Sequence, residues 1–111
     1  MARLNYLELP VAHTIRSSAF YSAAFGMAFT TFAPTYAATM TGDTDLGFQA
    51  DPAEKTAGPL SVIQVDDLGV AEAAVRAAGG DICVAPFAFP GGRRFHFRDP
   101  DGHELAVAQY D

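Results

Sequence analysis

With 111 residues the chain has room for one domain, and a composition half hydrophobic and 18% charged excludes a disordered tract or a coiled coil. A formal charge of −6, from seven basic and thirteen acidic groups with Lys55 the only lysine, argues against a nucleic-acid surface. No apolar run approaches the roughly 20 residues of a membrane span, and the opening MARLNYLELP has no signal-peptide core, so no membrane partner and a cytoplasmic location are expected.

Residues 4–9 alternate apolar with polar side chains and stop at Pro10, the pattern of a half-buried strand. Leu7 and Leu9 then face one way, Tyr6 and Glu8 the other. From Thr14 to Phe25 the larger side chains fall at Phe20, Tyr21, Ala24 and Phe25, which predicts a helix packing that stripe on a sheet. Gly26 supplies its left-handed stop. His13 reads as a turn or cap residue. Met27 to Ala50, broken near Pro34 and at Thr41-Gly42-Asp43-Thr44, reads as three short strands, and 51–58 as a connector.

The second half repeats this order. Leu60 to Val65 is a strand, and Asp67 caps a helix whose Leu68, Ala71, Val75 and Ala78 share a face while Glu72 and Arg76 pair outward. Gly79 and Gly80 end it. Strands are expected at Ile82 to Ala85, Arg94 to Arg98 and His103 to Gln109, with a tight turn at Asp99-Pro100-Asp101-Gly102. Cys83, the single cysteine, excludes an internal disulfide and alternates with Ile82 and Val84, so a core thiol is expected rather than a nucleophile. The expected fold is α+β: two tandem βαβββ modules, about 1–51 and 58–111, forming one curved mixed sheet around a cleft with helices on the outer face.

Leu7-Glu8-Leu9-Pro10-Val11, Ala19-Phe20-Tyr21, Phe25-Gly26-Met27 and Phe97-Arg98-Asp99-Pro100-Asp101-Gly102-His103, in that order, resemble the vicinal oxygen chelate superfamily of glyoxalases, bleomycin-resistance proteins and extradiol dioxygenases. The resemblance implies a paired-module fold, commonly a homodimer, with a ligand cleft. In metal-dependent members it also implies four His, Glu or Gln ligands, and alignment on these landmarks puts Tyr6, Gly47, Leu60 and Ala106 in their places. Gly, Leu and Ala carry no donor, so neither a metal nor another cofactor is expected. A register slip of one would turn each strand's apolar side the wrong way. No HExxH is present, and Asp43-Thr44-Asp45 lacks the rest of a calcium loop.

Period-2 reasoning places Tyr6, Glu8, Gln49, Val62, Gln64, Arg94, His96, Glu104 and Ala108 on the cleft face. Glu8, flanked by leucines, is a candidate general base or cation site. His96, set between Phe95 and Phe97, is a candidate acid, base or hydrogen-bond partner. Arg93 and Arg94 follow a Pro-Gly-Gly loop and could clamp an anion; a solvated hairpin end is the alternative. Phe29, Phe32, Tyr36 and Met40 could wall the cleft or belong to the core. The function expected first is metal-independent binding of a small, planar or cationic ligand. The alternatives are a metal-free lyase or isomerase using Glu8 or His96, a metal-dependent enzyme of the lactoylglutathione-lyase or dioxygenase kind, and a non-catalytic interaction domain.

Overall fold

Alternation in the first strand and the proline that ends it yield β1 (Arg3–Pro10), followed by α1 (Thr14–Phe25), β2 (Thr30–Ala33), β3 (Tyr36–Ala38) and β4 (Asp45–Gln49). The same order returns as β5 (Leu60–Gln64), α2 (Leu68–Ala77), β6 (Asp81–Phe89), β7 (Gly92–Arg98) and β8 (Glu104–Tyr110). These elements come from a computed structural model that describes all residues, Met1–Asp111. By contacts the chain divides into two units, Tyr6–Leu60 and Met1–Asn5 with Ser61–Asp111. The fold class is α+β, built as two βαβββ modules.

In the first module the strands run β2-β3-β4-β1, with β1 parallel to β4 and the other pairs antiparallel. In the second they run β5-β8-β7-β6, with β5 parallel to β8 and the rest antiparallel. Each parallel pair joins the first and last strand of its module, so the helix serves as the crossover that a parallel pair requires. The two modules therefore repeat in topology as well as in element order.

Helix α1 ends where Gly26 turns left-handed at φ 70° and its N–H bonds the Ser22 carbonyl at 2.9 Å. Asp67 caps α2 by accepting from the Val70 N–H at 3.0 Å, and Arg76 reaches Glu72 at 3.2 Å one turn back. The Asp99 turn closes through Gly102 N–H to the Asp99 carbonyl at 2.9 Å, while Asp99 Oδ1 accepts from the Asp101 and His103 N–H groups. In the second module Leu68 of α2 packs on Phe95 and Val107, with Ala71, Val75, Ile82 and Phe97 around them.

Three expectations are corrected. The α1 stripe does not bury as a unit: Tyr21 stacks on Phe48 at 5.5 Å, but Phe20 is 62% and Phe25 69% exposed. Neighbouring positions on a helix lie about 100° apart, so a helix that rests on the sheet through one ring turns the adjacent ring outward. Strand β6 runs on past Ala85 to Phe89, because bulges between Ile82 and Val84 and between Val84 and Phe87 take up Pro86 on a strand with a single partner in its module. That bulged strand turns Cys83 outward, so it is exposed and not a core thiol. Burial of the sulfur, followed by the Glu104 carboxylate, nevertheless pushes its thiol up from the ordinary value, against thiolate chemistry.

The break between β3 and β4 is organised by one carboxylate. Asp45 Oδ1 accepts from Thr39 Oγ1 at 2.7 Å and from the Thr41 N–H and Oγ1 at 2.8 Å, and Oδ2 accepts from the Gly42 N–H at 3.0 Å. Desolvation works to raise the Asp45 pKa, but the bonds from Thr39, Thr41 and Gly42 outweigh it and hold the group below its ordinary 3.8. A depressed folded value means the contribution is complete above 3.8 and is lost as pH falls through the folded value. Asp45→Asn is therefore expected to be less stable than the parent near neutral pH, with the gap in urea midpoint narrowing on acidification below that value. A gap that stays constant from pH 7 to pH 2 would contradict this account.

Candidate functional site

In the first module the register opposes Tyr6 to Asp45, Glu8 to Gly47 and Pro10 to Gln49, and Tyr36 to Gln49 on the next strand. Alternation then puts Tyr6, Glu8, Gly47, Gln49 and Tyr36 on one sheet face. Leu7, Leu9 and Phe48 take the other, where Tyr21 stacks on Phe48 at 5.5 Å and the Phe29 ring lies tilted 4.9 Å from it. Phe29 thus belongs to the helix side and does not wall the ligand face. Phe32, on β2, is exposed with its ring 6.4 Å from that of Tyr36, and Met40 is exposed.

Glu8 is only 2% exposed, and Tyr36 Oη donates to its Oε1 at 3.2 Å. The Tyr6 and Tyr36 hydroxyls are hydrogen-bonded to each other, so the three groups form one chain. Burial first, and then the neighbouring Tyr6 and Glu8, push the Tyr36 phenol far above its ordinary range, which keeps its hydrogen in place. Gln49 turns toward the connector, where its Oε1 accepts from the Asp51 N–H at 3.0 Å.

Gly47 makes room for this chain. A Cβ at that position would lie 1.8 Å from Tyr6 Oη, 2.6 Å from Tyr6 Cζ and 2.9 Å from Tyr36 Oη. The space that a side chain at 47 would use is the space that the Tyr6 phenol fills.

In the second module β7 and β8 oppose Arg94 to Ala108, His96 to Ala106 and Arg98 to Glu104, while β5 and β8 oppose Val62 to Ala106 and Gln64 to Ala108. Val62, Gln64, Arg94, His96, Glu104, Ala106 and Ala108 therefore share the face away from the Phe95, Val107 and Leu68 cluster. His96 is 5% exposed and its Nδ1 lies 2.8 Å from Glu104 Oε2, while Arg98 approaches Glu104 Oε1 at 3.7 Å. His96 Nε2 is buried and has no hydrogen-bond partner. The Phe87 ring lies 6.0 Å from the imidazole, and the Arg94 guanidinium sits 5.3 Å from Phe87 and 5.7 Å from Phe89.

Phe87 and Phe89 were not among the expected site residues, because two bulges in β6 disturb the period-2 pattern that would have placed them. The role of the Tyr36 hydroxyl was hidden in the same way, since alternation gives a side chain's face and not its hydrogen-bond partner. His13 stands at the N-cap of α1 but makes no side-chain capping bond. Arg93 is exposed beside the Pro90-Gly91 turn.

The four positions aligned with metal ligands hold a phenol, a hydrogen, and two apolar side chains, Leu60 and Ala106, both buried in packing. No three His, Cys, Asp or Glu side chains converge as a metal-holding group. This donor set does not fit a divalent ion.

The model of the Glyoxalase/Bleomycin resistance protein/Dioxygenase superfamily matches residues 3–107. Among solved structures, the NAD-dependent benzaldehyde dehydrogenase of Legionella pneumophila is 22% identical with a TM-score of 0.78, covering 96% of this chain and 99% of that one. Methylmalonyl-CoA epimerase from Mycobacterium tuberculosis is 15% identical with a TM-score of 0.76, covering 97% of this chain and 87% of that one. The Mn(II)-bound glyoxalase from Novosphingobium aromaticivorans is 20% identical with a TM-score of 0.71, covering 98% of this chain and 40% of that one. At these identities the likeness is one of fold, and it carries no reaction across. No curated protein matches the chain in sequence.

Proposed function

Because the chain belongs to the Glyoxalase/Bleomycin resistance protein/Dioxygenase superfamily but carries no donor set for a divalent ion, we propose that it is a metal-independent small-molecule-binding protein. It would sequester or carry a small, planar or cationic ligand, as a cytoplasmic homodimer. The observation that carries this reading is the Tyr6 phenol occupying the volume of a side chain at Gly47. A ligating residue at 47 would compete with the Tyr6 phenol for the same space, which supports a first module that does not use these two positions to hold a metal. No helix is long and apolar enough to cross a membrane, which is compatible with this placement.

On this reading each module presents groups that are already paired within it: the Tyr6, Tyr36 and Glu8 chain in the first, and His96 with Glu104 beside Phe87 in the second. Buried polar groups that are mutually bonded are oriented before a ligand arrives, which lowers the entropy that binding must overcome.

Native mass spectrometry of the protein as purified tests the reading in one spectrum. The expected result is a dimer mass with no stoichiometric metal, and any co-purified ligand recovered chemically unchanged. A stoichiometric divalent ion would overturn it.

A second reading, a metal-free lyase or isomerase, is favoured by one feature. His96 Nδ1 is held by Glu104 while Nε2 has no partner, the arrangement of an oriented acid-base imidazole. It requires conversion of the bound molecule and loss of that conversion in His96→Ala with binding retained.

A further inference from the structure

We propose that the outward face of α1 is the surface on which two copies of this chain pair, their helices antiparallel about a twofold axis; the inference rests on the homodimer in the reading above and names its interface. Contacts on the inner side fix which face that is. Thr14 donates to the Pro34 carbonyl at 3.0 Å and Tyr21 stacks on Phe48, so the side of the helix through Thr14, Ser17, Ser18 and Tyr21 is turned to the sheet. At about 100° per residue the opposite side carries Ile15, Arg16, Ala19, Phe20 and Ala23. All of these are exposed, Ile15 by 79%. Singly exposed apolar residues are ordinary on any protein, but Ile15, Ala19, Phe20 and Ala23 recur at i, i+4, i+5 and i+8 and form one stripe.

Charge decides what covers the stripe. The chain holds thirteen acidic groups, yet α1 has none, and Arg16 is its one charged residue. A second copy therefore meets this face without the repulsion between carboxylates that a surface of net charge −6 brings elsewhere. Arg16 lies in the first turn, at the positive end of the helix dipole, while the last turn has no basic residue. Both ends are thus the reverse of what the dipole favours. An antiparallel copy corrects them together: with the twofold axis between Ala19 and Phe20, Arg16 of one helix comes level with Ala23 of the other and reaches its C-terminal carbonyls. The two Arg16 residues then lie about 10 Å apart along the helix axis, from a rise of about 1.5 Å per residue, whereas a parallel pair would set them side by side with the dipoles aligned. Ala19 and Ala23 leave the bare surface on which Phe20 of the second copy rests. A different protein would need its own acid placed opposite Arg16; a second copy supplies the complement by symmetry alone.

The test is sedimentation velocity of the full chain over a dilution series. The parent is expected to run as a dimer that dissociates on dilution, since one helix per copy makes a small interface. Arg16→Glu puts a carboxylate in the first turn, which suits the chain's own helix and opposes the C-terminal end of the second copy. Its melting temperature, read where the copies are apart, should hold or rise, while the dimer dissociation constant increases about tenfold or more. Ala19→Glu places a good helix former at an exposed position of the single chain but a charge at the centre of the interface, and should leave only monomer. Phe20→Ala should likewise weaken association without changing the folding of the dissociated chain. Orientation is read in a Cys83→Ser background. There mild oxidation should link Ala19→Cys copies into a disulfide dimer, because position 19 lies beside the axis and meets itself, and leave Ala23→Cys copies unlinked, because position 23 meets position 16. A dimer that survives Arg16→Glu and Ala19→Glu unweakened, or linkage at position 23 as ready as at 19, overturns the proposal and leaves a homodimer through another face. A parent that stays monomeric at every concentration overturns it together with the homodimer beneath it.

Discussion

Gly47→Ala is expected to lower the melting temperature by about 5 °C or more, an unusual result for the addition of one methyl group. The new Cβ would lie 1.8 Å from Tyr6 Oη and 2.6 Å from Cζ, both far inside van der Waals contact. The Tyr6 ring must leave, and with it goes the bond to Tyr36 that continues to Glu8. Overpacking of a filled site costs about 1–3 kcal/mol, and a partly broken buried polar chain adds to that. The cause can be isolated with a double-mutant cycle. Tyr6→Ala removes the two shortest contacts and leaves Tyr36 Oη at 2.9 Å, so in that background Gly47→Ala should cost much less than in the parent, giving a strong coupling between positions 6 and 47. Thermal unfolding of the four proteins reads it directly. If Gly47→Ala melts with the parent, Tyr6 does not occupy that space in solution, and the argument against a metal ligand at 47 goes with it.

How far the fold was legible follows from the kind of signal each element carries. Residues 4–9 alternate apolar with polar side chains and stop at Pro10, and residues 60–65 are bounded by the capping Asp67 shortly after them, so these strands could be read, and the observed register puts Tyr6 with Glu8, and Val62 with Gln64, on common faces. The first helix was bounded correctly by Gly26, yet its buried side was not, because an aromatic-rich helix offers several stripes and the sheet accepts only Tyr21. Strand β6 was cut short at Pro86, since a proline reads as a break unless a bulge accommodates it. With it went the outward position of Cys83 and the two rings against Arg94. The candidate site was legible as a set of faces and not as a set of bonds. That Tyr36 joins Tyr6 to Glu8 across residues far apart in the chain depends on the register of three strands together, and no local pattern records it.

Phe95→Ala is expected to destabilise the protein by about 3–5 kcal/mol, the usual loss for truncating a fully buried aromatic side chain. Phe95 is 0% exposed and packs with Leu68 and Val107 beneath α2. Phe20, expected on sequence grounds to be buried as well, is 62% exposed, so Phe20→Ala should shift stability by no more than about 0.5 kcal/mol. Urea unfolding of the two variants separates true core from apolar surface. The consequence extends to the site, because Phe95 lies between Arg94 and His96 on β7, and its ring anchors from behind the stretch of strand that presents them. A cavity there removes the contacts that hold the strand flat against β8, where His96 opposes Ala106 and Arg98 opposes Glu104. The bond of 2.8 Å between His96 and Glu104 should then loosen, and ligand affinity should fall along with stability even though Phe95 faces away from the ligand. A variant that loses stability but binds with undiminished affinity would show that β7 keeps its geometry without the core behind it, and that the His96 face is organised by its own hydrogen bonds.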